Sequence, residues 1–480
     1  MTNRHIWATI AILCIPLAGY PHLKQNIKTT PTTINDFSRL NETKIHSFTT
    51  PYSYEELQSI IDYAQNNKLK IALSGTRHSQ GGHAFFPDAI VINLEKLNKI
   101  LDFDKNKKLI TVQAGATWNH IQEFLQPHHC AVKIMQFANL FTVGGSLSVN
   151  CNGIDPNYGP LIESIQSIKI LLANKSIVTA SRSENSELFS LAIGGYGLFG
   201  IILEATIQVV QDDLYKRKMA LISLPAYIQK IKKIVNDPEI GFHFSFLTLT
   251  AHGKKLFGNV ACFDFKKLDN AEVSKKDAIQ KRKLQYEKFT KIQKTIVKPW
   301  SKNRLIKALH WVPESIKNKK IISRNNIMRP PASHLYVETP GETNLLQEYF
   351  IPIDNLIPFI DSLETITQKL TVNLMHVAFR FIPKNTESYL SYCKTDRVGI
   401  VLFFNQKMTV NDTEKTKKWT QHLIETAVQL NGAYYLPIQL HATKKQALAV
   451  YPQLNNFFAF KKQYDPSELF MNHFYSKYAN

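Results

Sequence analysis

The stretch Ile71 to Leu94, IALSGTRHSQGGHAFFPDAIVINL, constrains this chain more than any other. Two short apolar runs, Ile71 to Leu73 and Ala89 to Leu94, are bounded by turn residues and predict strand, loop, strand. The loop between them carries little bulk. Gly75, Gly81 and Gly82 let the backbone approach a ligand closely, while Ser74, Thr76 and Ser79 add hydroxyls to the amide donors that such a loop presents. That is a cradle suited to a diphosphate. The same residues also gather in ordinary surface turns for backbone reasons alone, so the loop by itself leaves both readings open.

Two later stretches repeat the theme. Phe141 to Gly153, FTVGGSLSVNCNG, predicts a second loop of small residues, and Gly194 to Ile207, GGYGLFGIILEATI, predicts a glycine-broken turn entering a strand. Neither the P-loop pattern nor Gly-x-Gly-x-x-Gly opening a helix occurs at these points, so a nucleotide would be held another way. Here the sequence resembles the FAD-binding PCMH-type oxidoreductases of the vanillyl-alcohol oxidase and para-cresol methylhydroxylase superfamily, nearest the aldonolactone and alditol oxidase-like branch. Gly75-Thr-Arg-His-Ser79 is similar to the family's pyrophosphate loop, and Val143-Gly-Gly-Ser-Leu-Ser-Val-Asn150 to its second FAD loop. Gly197-Leu-Phe-Gly200-Ile-Ile resembles the turn near the adenine end. Tyr464-Asp-Pro-Ser-Glu-Leu-Phe-Met-Asn472 resembles the ending of the sugar-oxidising branch.

The resemblance implies an α+β fold: a two-subdomain FAD-binding PCMH-type domain plus an α+β cap domain with a mainly antiparallel sheet. It implies that FAD is held by Ser74, Gly75, Thr76, Arg77, His78, Ser79 and Gln80 in the first loop. Val143, Gly144, Gly145, Ser148, Asn150 and Gly153 serve in the second, with Ile202 and Asn472 beyond. In relatives with covalent flavin, the histidine matching His78 is bonded to the ring; His83 is the fallback position. Arg77 departs from the family by replacing a glycine, and Asn152 replaces a histidine. Ala114 matches a position that gates oxygen in the aldonolactone branch.

The domain boundaries expected are 1–20 for a signal peptide or membrane anchor, 21–44 for a polar linker and 45–213 for the FAD-binding domain. A cap follows over 214–445, interrupted by a basic insertion at 266–324, and 446–480 returns to the cofactor. Within the first domain, acidic Glu55 and Glu56 start a helix, Leu109 to Gln113 alternates as a strand, and Trp118 to Leu125 reads as a helix. In the cap, Phe242 to Leu249, Leu335 to Glu338 and Ile400 to Phe404 read as strands, and Asn355 to Leu370 as a helix. The insertion carries Tyr286, Phe289, Trp300 and Trp311, and reads as a solvated helical stretch or a contact for lipid or an acidic polymer.

Cap chemistry belongs on strands facing the flavin. Glu348-Tyr349 resembles a Glu-Tyr-x-x-Pro strand of aldonolactone and alditol oxidases. Met375-His-Val-Ala-Phe-Arg380 resembles their Glu-x-Arg strand, with Ala378 where the glutamate would stand. Arg380 is thereby implied beside the ring, where a guanidinium stabilises negative charge or orients substrate oxygens. Gln439 falls where relatives place a lysine, and Lys407 is the candidate to compensate. His376 and His441 are candidate bases, since neutral imidazole suits proton removal from an alcohol near neutral pH. The expected reaction is hydride removal from a CH–OH group of an aldonolactone, alditol or related carbohydrate, with reoxidation by oxygen or a membrane electron acceptor. The alternatives are a flavin subunit oxidising a lipid-linked sugar for epimerisation, and a non-catalytic flavin-binding protein.

A formal net charge of +20 raises the question of nucleic acid, but no zinc-finger spacing, basic zipper or RNP signature gives that charge a recognition geometry. The five cysteines, Cys14, Cys130, Cys151, Cys262 and Cys393, are spaced without pairs and predict neither a disulfide framework nor a zinc site. Asn3, Arg4 and His5 precede an apolar run from Ile6 to Gly19, which fits a signal peptide or an uncleaved anchor, with export or membrane association as the consequence.

Overall fold

The structure, a computed structural model, describes residues 32–250, 255–269, 274–284, 320–330 and 339–479. Met1 to Tyr20, the strand expected at Leu335 to Glu338, and Tyr286, Phe289, Trp300 and Trp311 lie outside the described residues. Among the described residues, no helix is long and apolar enough to cross a membrane.

The N-terminal region has two larger sheets and a two-stranded ribbon at its start. Helix Tyr54–Asn66 begins where the Ser53 hydroxyl accepts the Glu56 amide, satisfying one of the first-turn donors. It buries Leu57, Ile60, Ile61 and Ala64 with a small parallel sheet ordered Ser47–Thr49, Ile90–Asn93, Ile71–Ser74. Buried on both faces, that sheet needs the continuous apolar runs its sequence supplies. The chain terminus closes its far edge: Phe470 bridges to Ile71, and the Met471 amide donates to the Ile71 carbonyl. The second sheet is antiparallel and centres on Ile201–Gln211, which pairs with Ile165–Leu171, Leu109–Gln113 and Cys130–Val132.

The cap is an eight-stranded antiparallel sheet. Its order is Ile321–Ser323, Leu214–Ile222, Phe257–Lys267, Ile240–Leu249, Asn373–Ile382, Arg397–Lys407, Glu342–Pro352, Ala433–Tyr434. Helices Leu356–Lys369 and Val410–Gln429 pack together behind it, burying Phe359, Leu363, Trp419 and Leu423. The architecture is therefore α+β throughout. Cys130, Cys151, Cys262 and Cys393 are buried and unpaired.

Three expectations are corrected. The segment assigned to a linker is folded from residue 32: Thr32–Ile34 pairs with Thr43–Ile45, and Asp36 and Ser38 are buried and hydrogen-bonded. Asp36 accepts from the Ser38 amide and hydroxyl, from Asn41 Nδ2 and from the Gly82 amide. The expected basic insertion is bounded more tightly than its charge suggests. Lys266 and Lys267 belong to a cap strand, and Arg324 is buried, with Nη1 2.8 Å from Asp155. Within Phe141 to Gly153, Val143–Ser148 is a short helix, because the Thr142 hydroxyl caps it by accepting the Gly145 amide.

Candidate active site

One cavity of about 540 Å³ runs between the N-terminal region and the cap sheet. At one end the first glycine loop and the Thr142-capped helix meet face to face. A Cβ on Gly75 would stand 2.3 Å from Thr142 Oγ1, and one on Gly144 would stand 2.9 Å from Ala114 Cβ. Only bare backbone permits either approach. The His78 ring touches Phe141 edge-on at 4.5 Å, and its Nδ1 lies 3.0 Å from Thr76 Oγ1. All seven residues from Ser74 to Gln80 line the cavity, together with Gly144, Gly145, Ser148 and Ile202.

Other residues expected at the cofactor stand behind this wall. Val143 packs in the core, and the Asn150 Oδ1 accepts the Ile162 amide. Gly153 lies against the Met135 carbonyl, and Asn472 caps the last helix while donating to the Tyr196 carbonyl. Each shapes the loops from outside. Gln80 does both: it faces the cavity, and its Oε1 accepts the Leu346 amide of a cap strand, tying the two regions together.

The wall carries the groups a dinucleotide needs. Burial, and secondarily the Arg77 charge, push the His78 imidazole down to about 4, so at neutral pH it is the uncharged ring. His83, buried in the same wall, is pushed down to about 3 by burial. A backbone hydrogen bond with Leu436 opposes that fall. The glycine cradle, where a side chain on Gly75 or Gly144 would collide with Thr142 or Ala114, fits FAD.

The cap contributes the polar group at the centre. Arg380, on Asn373–Ile382, donates from Nη1 to Asn152 Oδ1 at 2.9 Å, and its Nε lies 3.4 Å from Glu348 Oε1. Glu348 sits two strands away, and the strand between them passes Gly399 through the gap. A Cβ there would stand 3.0 Å from Arg380 Cγ and 3.1 Å from Glu348 Oε1. Burial raises the Glu348 carboxyl above its ordinary value, opposed by Arg380 and Asn152. Sequence reasoning singled out the missing glutamate at Ala378 without noticing that a neighbouring strand returns a carboxylate to Arg380. The signal was the Glu348-Tyr349 strand itself, whose inward face was not assigned.

The remaining candidates divide. His376 lines the cavity between Phe246 and Phe403. Lys407, Gln439 and His441 are not brought there. Lys407 has the same strand parity as Val401 and Phe403, which line the cavity, but it stands at the strand's end opposite Glu342 and is exposed. Gln439 turns outward to donate to Ser38 Oγ at 2.8 Å, fastening the N-terminal segment. His441 is buried behind the wall, and burial pushes it down to about 4.

Two family models match the chain: an FAD binding domain over residues 46–181 and D-arabinono-1,4-lactone oxidase over residues 259–478. Among curated relatives, a mitochondrial L-galactono-1,4-lactone dehydrogenase of Arabidopsis thaliana is 27% identical over 203 residues, covering 42% of this chain and 32% of the relative. L-gulonolactone oxidase of Bos taurus is 29% identical over 160 residues, 33% of this chain and 36% of the relative. A putative D-arabinono-1,4-lactone oxidase of Neurospora crassa is 28% identical over 160 residues, 33% of this chain and 29% of the relative. The chain thus spans about a third of the length of the curated relatives it matches.

Proposed function

We propose that this chain, which matches an FAD binding domain over residues 46–181 and D-arabinono-1,4-lactone oxidase over residues 259–478, oxidises a CH–OH group of a carbohydrate-like donor, an aldonolactone, an alditol or a related sugar. The observation that carries the proposal is the convergence of Glu348, Arg380 and Asn152 on the cavity that the glycine loops line. FAD, when bound, supplies the hydride acceptor. Ser74 to Ser79, Gly144 and Gly145 would hold it by backbone and hydroxyl donors. His78 presents it an uncharged imidazole, the form able to bond covalently.

Glu348 accepts the proton of the donor's hydroxyl. A carboxylate whose pKa is raised by burial is a stronger base than one in water, and the Arg380 charge opposes that rise by favouring the ionised form. Arg380 also orients the donor oxygen, while Asn152 fixes the guanidinium in turn. His376 stands beside this group as a second polar contact for the donor. The aromatic walls exclude water from the reacting carbon.

Anaerobic addition of aldonolactones, sugar acids and polyols to the purified yellow protein tests the proposal: bleaching by at least one class is expected, and none would overturn it. Acid precipitation tests the His78 bond. Colour should stay with the polypeptide and leave with the supernatant in His78→Ala. The electron acceptor we propose is oxygen or a membrane carrier, with the apolar run Ile6 to Gly19 attaching the chain to a membrane. Cell fractionation and oxygen consumption during turnover check those two points.

A further inference from the structure

Among the described residues five side-chain amides line the cavity, and four of them are engaged in holding the protein together. Gln80 accepts the Leu346 amide, and Gln347 donates to Thr420 and accepts from Tyr349. Asn152 accepts from Arg380, and Asn326 donates to the Lys281 and Lys283 carbonyls. Gln136 is the exception. Its Oε1 is enclosed and meets no hydrogen-bond partner among the described residues, nor does its Nε2 bond any of them. A buried amide oxygen left unmatched is costly, and each one in a folded protein calls for an explanation.

Gln136 is fixed by its neighbours in the chain. It lies between the strand Cys130–Val132 and the Thr142-capped helix. On one side the Met135 carbonyl abuts Gly153, where a Cβ would stand 3.0 Å away. On the other, Phe137 packs on Phe244 of the cap with ring centroids 5.6 Å apart, and Asn139 donates to Asn119 and Gln122 at 3.1 Å. The side chain between them therefore stands at the seam of the two regions. Cys151, the chain neighbour of Asn152, joins this seam to the reacting group. Its thiol hydrogen-bonds the Gln136 backbone, and the charges of Arg380 and Glu348 bear on it. An amide with unused bonding capacity is thus separated by one residue from the cluster of Glu348, Arg380 and Asn152.

We infer that Gln136 determines specificity in the proposed reaction: its side-chain amide hydrogen-bonds a hydroxyl of the donor other than the one oxidised, so the cavity prefers polyhydroxylated donors to simple alcohols. The inference rests on the proposed CH–OH oxidation and adds a requirement on the rest of the molecule. An amide offers an acceptor at one end and two N–H groups at the other, and a hydroxyl both donates and accepts. Either orientation of Gln136 therefore finds a match. Being uncharged, it suits a neutral lactone or polyol. A polar group placed to meet a hydroxyl rejects the analogue that lacks it, because the group is then left unpaired.

The test is a double-mutant cycle between protein and ligand. Dissociation constants for the FAD-loaded protein are read by calorimetry and by perturbation of the visible flavin spectrum. The probes are L-galactono-1,4-lactone and D-sorbitol, each with its monodeoxy analogues. For at least one parent, one analogue should bind about tenfold to a hundredfold more weakly. In Gln136→Leu, which keeps the bulk and removes the amide, that parent should fall to the affinity of its analogue, and the analogue should bind as before. Where a probe bleaches the flavin, the variant should raise KM more than it lowers kcat, because a hydroxyl remote from the reacting carbon is held alike before and during the reaction. Failure of both parents to bind would overturn the inference, as would discrimination that survives in Gln136→Leu, the result expected if the side chain only packs or holds a water. A changed flavin content or spectrum in the ligand-free variant would also overturn it, by giving the amide to the cofactor. Bleaching is read separately. A hydroxyl-dependent affinity that vanishes in Gln136→Leu, with no probe bleaching the flavin, would sink the oxidation and leave the inference; bleaching by the parents with discrimination unaltered in the variant would do the reverse.

Discussion

The two walls of the cavity are made by opposite means. The cofactor wall is built by subtraction: Gly75 against Thr142 and Gly144 against Ala114 work because side-chain atoms are missing. The cap wall is built by addition, from side chains of seven strands that alternate inward and reach the cavity one by one. A wall made of backbone tolerates almost no substitution but gives little chemical choice. A wall made of side chains can change its chemistry while the sheet stays the same, and the return of a carboxylate to Arg380 from Glu348 is an instance.

The largest effect should separate the two walls completely. Glu348→Gln removes the proton acceptor and is expected to lower kcat/KM by ~10²–10⁴-fold, with flavin content unchanged. In the unaltered protein the rate depends on the ionised carboxyl, so it should fall as pH drops through a pKa above the ordinary carboxylate value, and that acidic limb should vanish in the variant. Gly399→Ala, which pushes a methyl between Glu348 and Arg380, should lower the rate in the same direction without touching flavin. An unchanged rate in Glu348→Gln would move the proton to His376.

The reciprocal experiment attacks the cofactor wall. Gly75→Ala places a methyl on the Thr142 hydroxyl that caps Val143–Ser148, and overpacking of this kind costs enough to weaken flavin retention by about tenfold. Flavin per polypeptide after reconstitution is the measurement. Adding Thr142→Ala should restore part of the loss, because it clears the contact even though the cap is gone. No loss in Gly75→Ala would mean the two loops do not close on the cofactor as the geometry requires.

The same contrast explains what the sequence disclosed. Glycines and small hydroxyl residues at Gly75 to Ser79 and Val143 to Ser148 serve ordinary turns as well as close approach, so the cofactor wall was legible only when these stretches were read together with Gly194 to Ile207 and the C-terminal segment. The helices Tyr54–Asn66 and Leu356–Lys369 were legible from spacing. The cap wall was not. Which face of Glu342–Pro352 turns inward is set by pairing with Arg397–Lys407, some 50 residues away, and nothing in the local alternation distinguishes Glu348 from Gln347. Gln439 failed for a related reason: its partner, Ser38, belongs to a segment whose polarity read as linker.

Between the walls, Asp212 offers a test of the junction. It follows the last strand of the N-terminal region, and its Oδ1 accepts the Asn325 amide from the cap side at 2.8 Å. Burial raises its carboxyl from 3.8 to about 6. A carboxyl with a higher pKa in the folded state binds more protons there, so it lowers stability as pH rises between about 4 and 6, and the full penalty stands above that range. Asp212→Asn keeps the acceptor and removes the charge. It should stabilise the protein by roughly 1–3 kcal/mol at pH 7, with the gain shrinking to nothing as pH falls below the ordinary carboxylate range. Denaturant midpoints across pH measure it. A gain independent of pH would mean that packing, and not the buried charge, controls this junction.

The smallest effect concerns the one place where the cofactor wall breaks its own rule. Arg77 holds a left-handed backbone, φ +57°, a conformation that favours glycine. Such a conformation costs a residue with a side chain ~1 kcal/mol relative to glycine, so Arg77→Gly relieves the folded loop. Two losses oppose that relief: the guanidinium's contact with the Phe48 ring at 5.8 Å and the added freedom of glycine in the unfolded chain. The net change in stability should therefore be a gain of less than about 1 kcal/mol. The more telling readout is His78. Its imidazole is held low first by burial and second by the neighbouring Arg77 charge, so removing that charge should raise its titration midpoint only part of the way toward the ordinary histidine value. A midpoint that returned fully would make charge the cause and burial incidental, and the cofactor wall would then depend on a side chain after all.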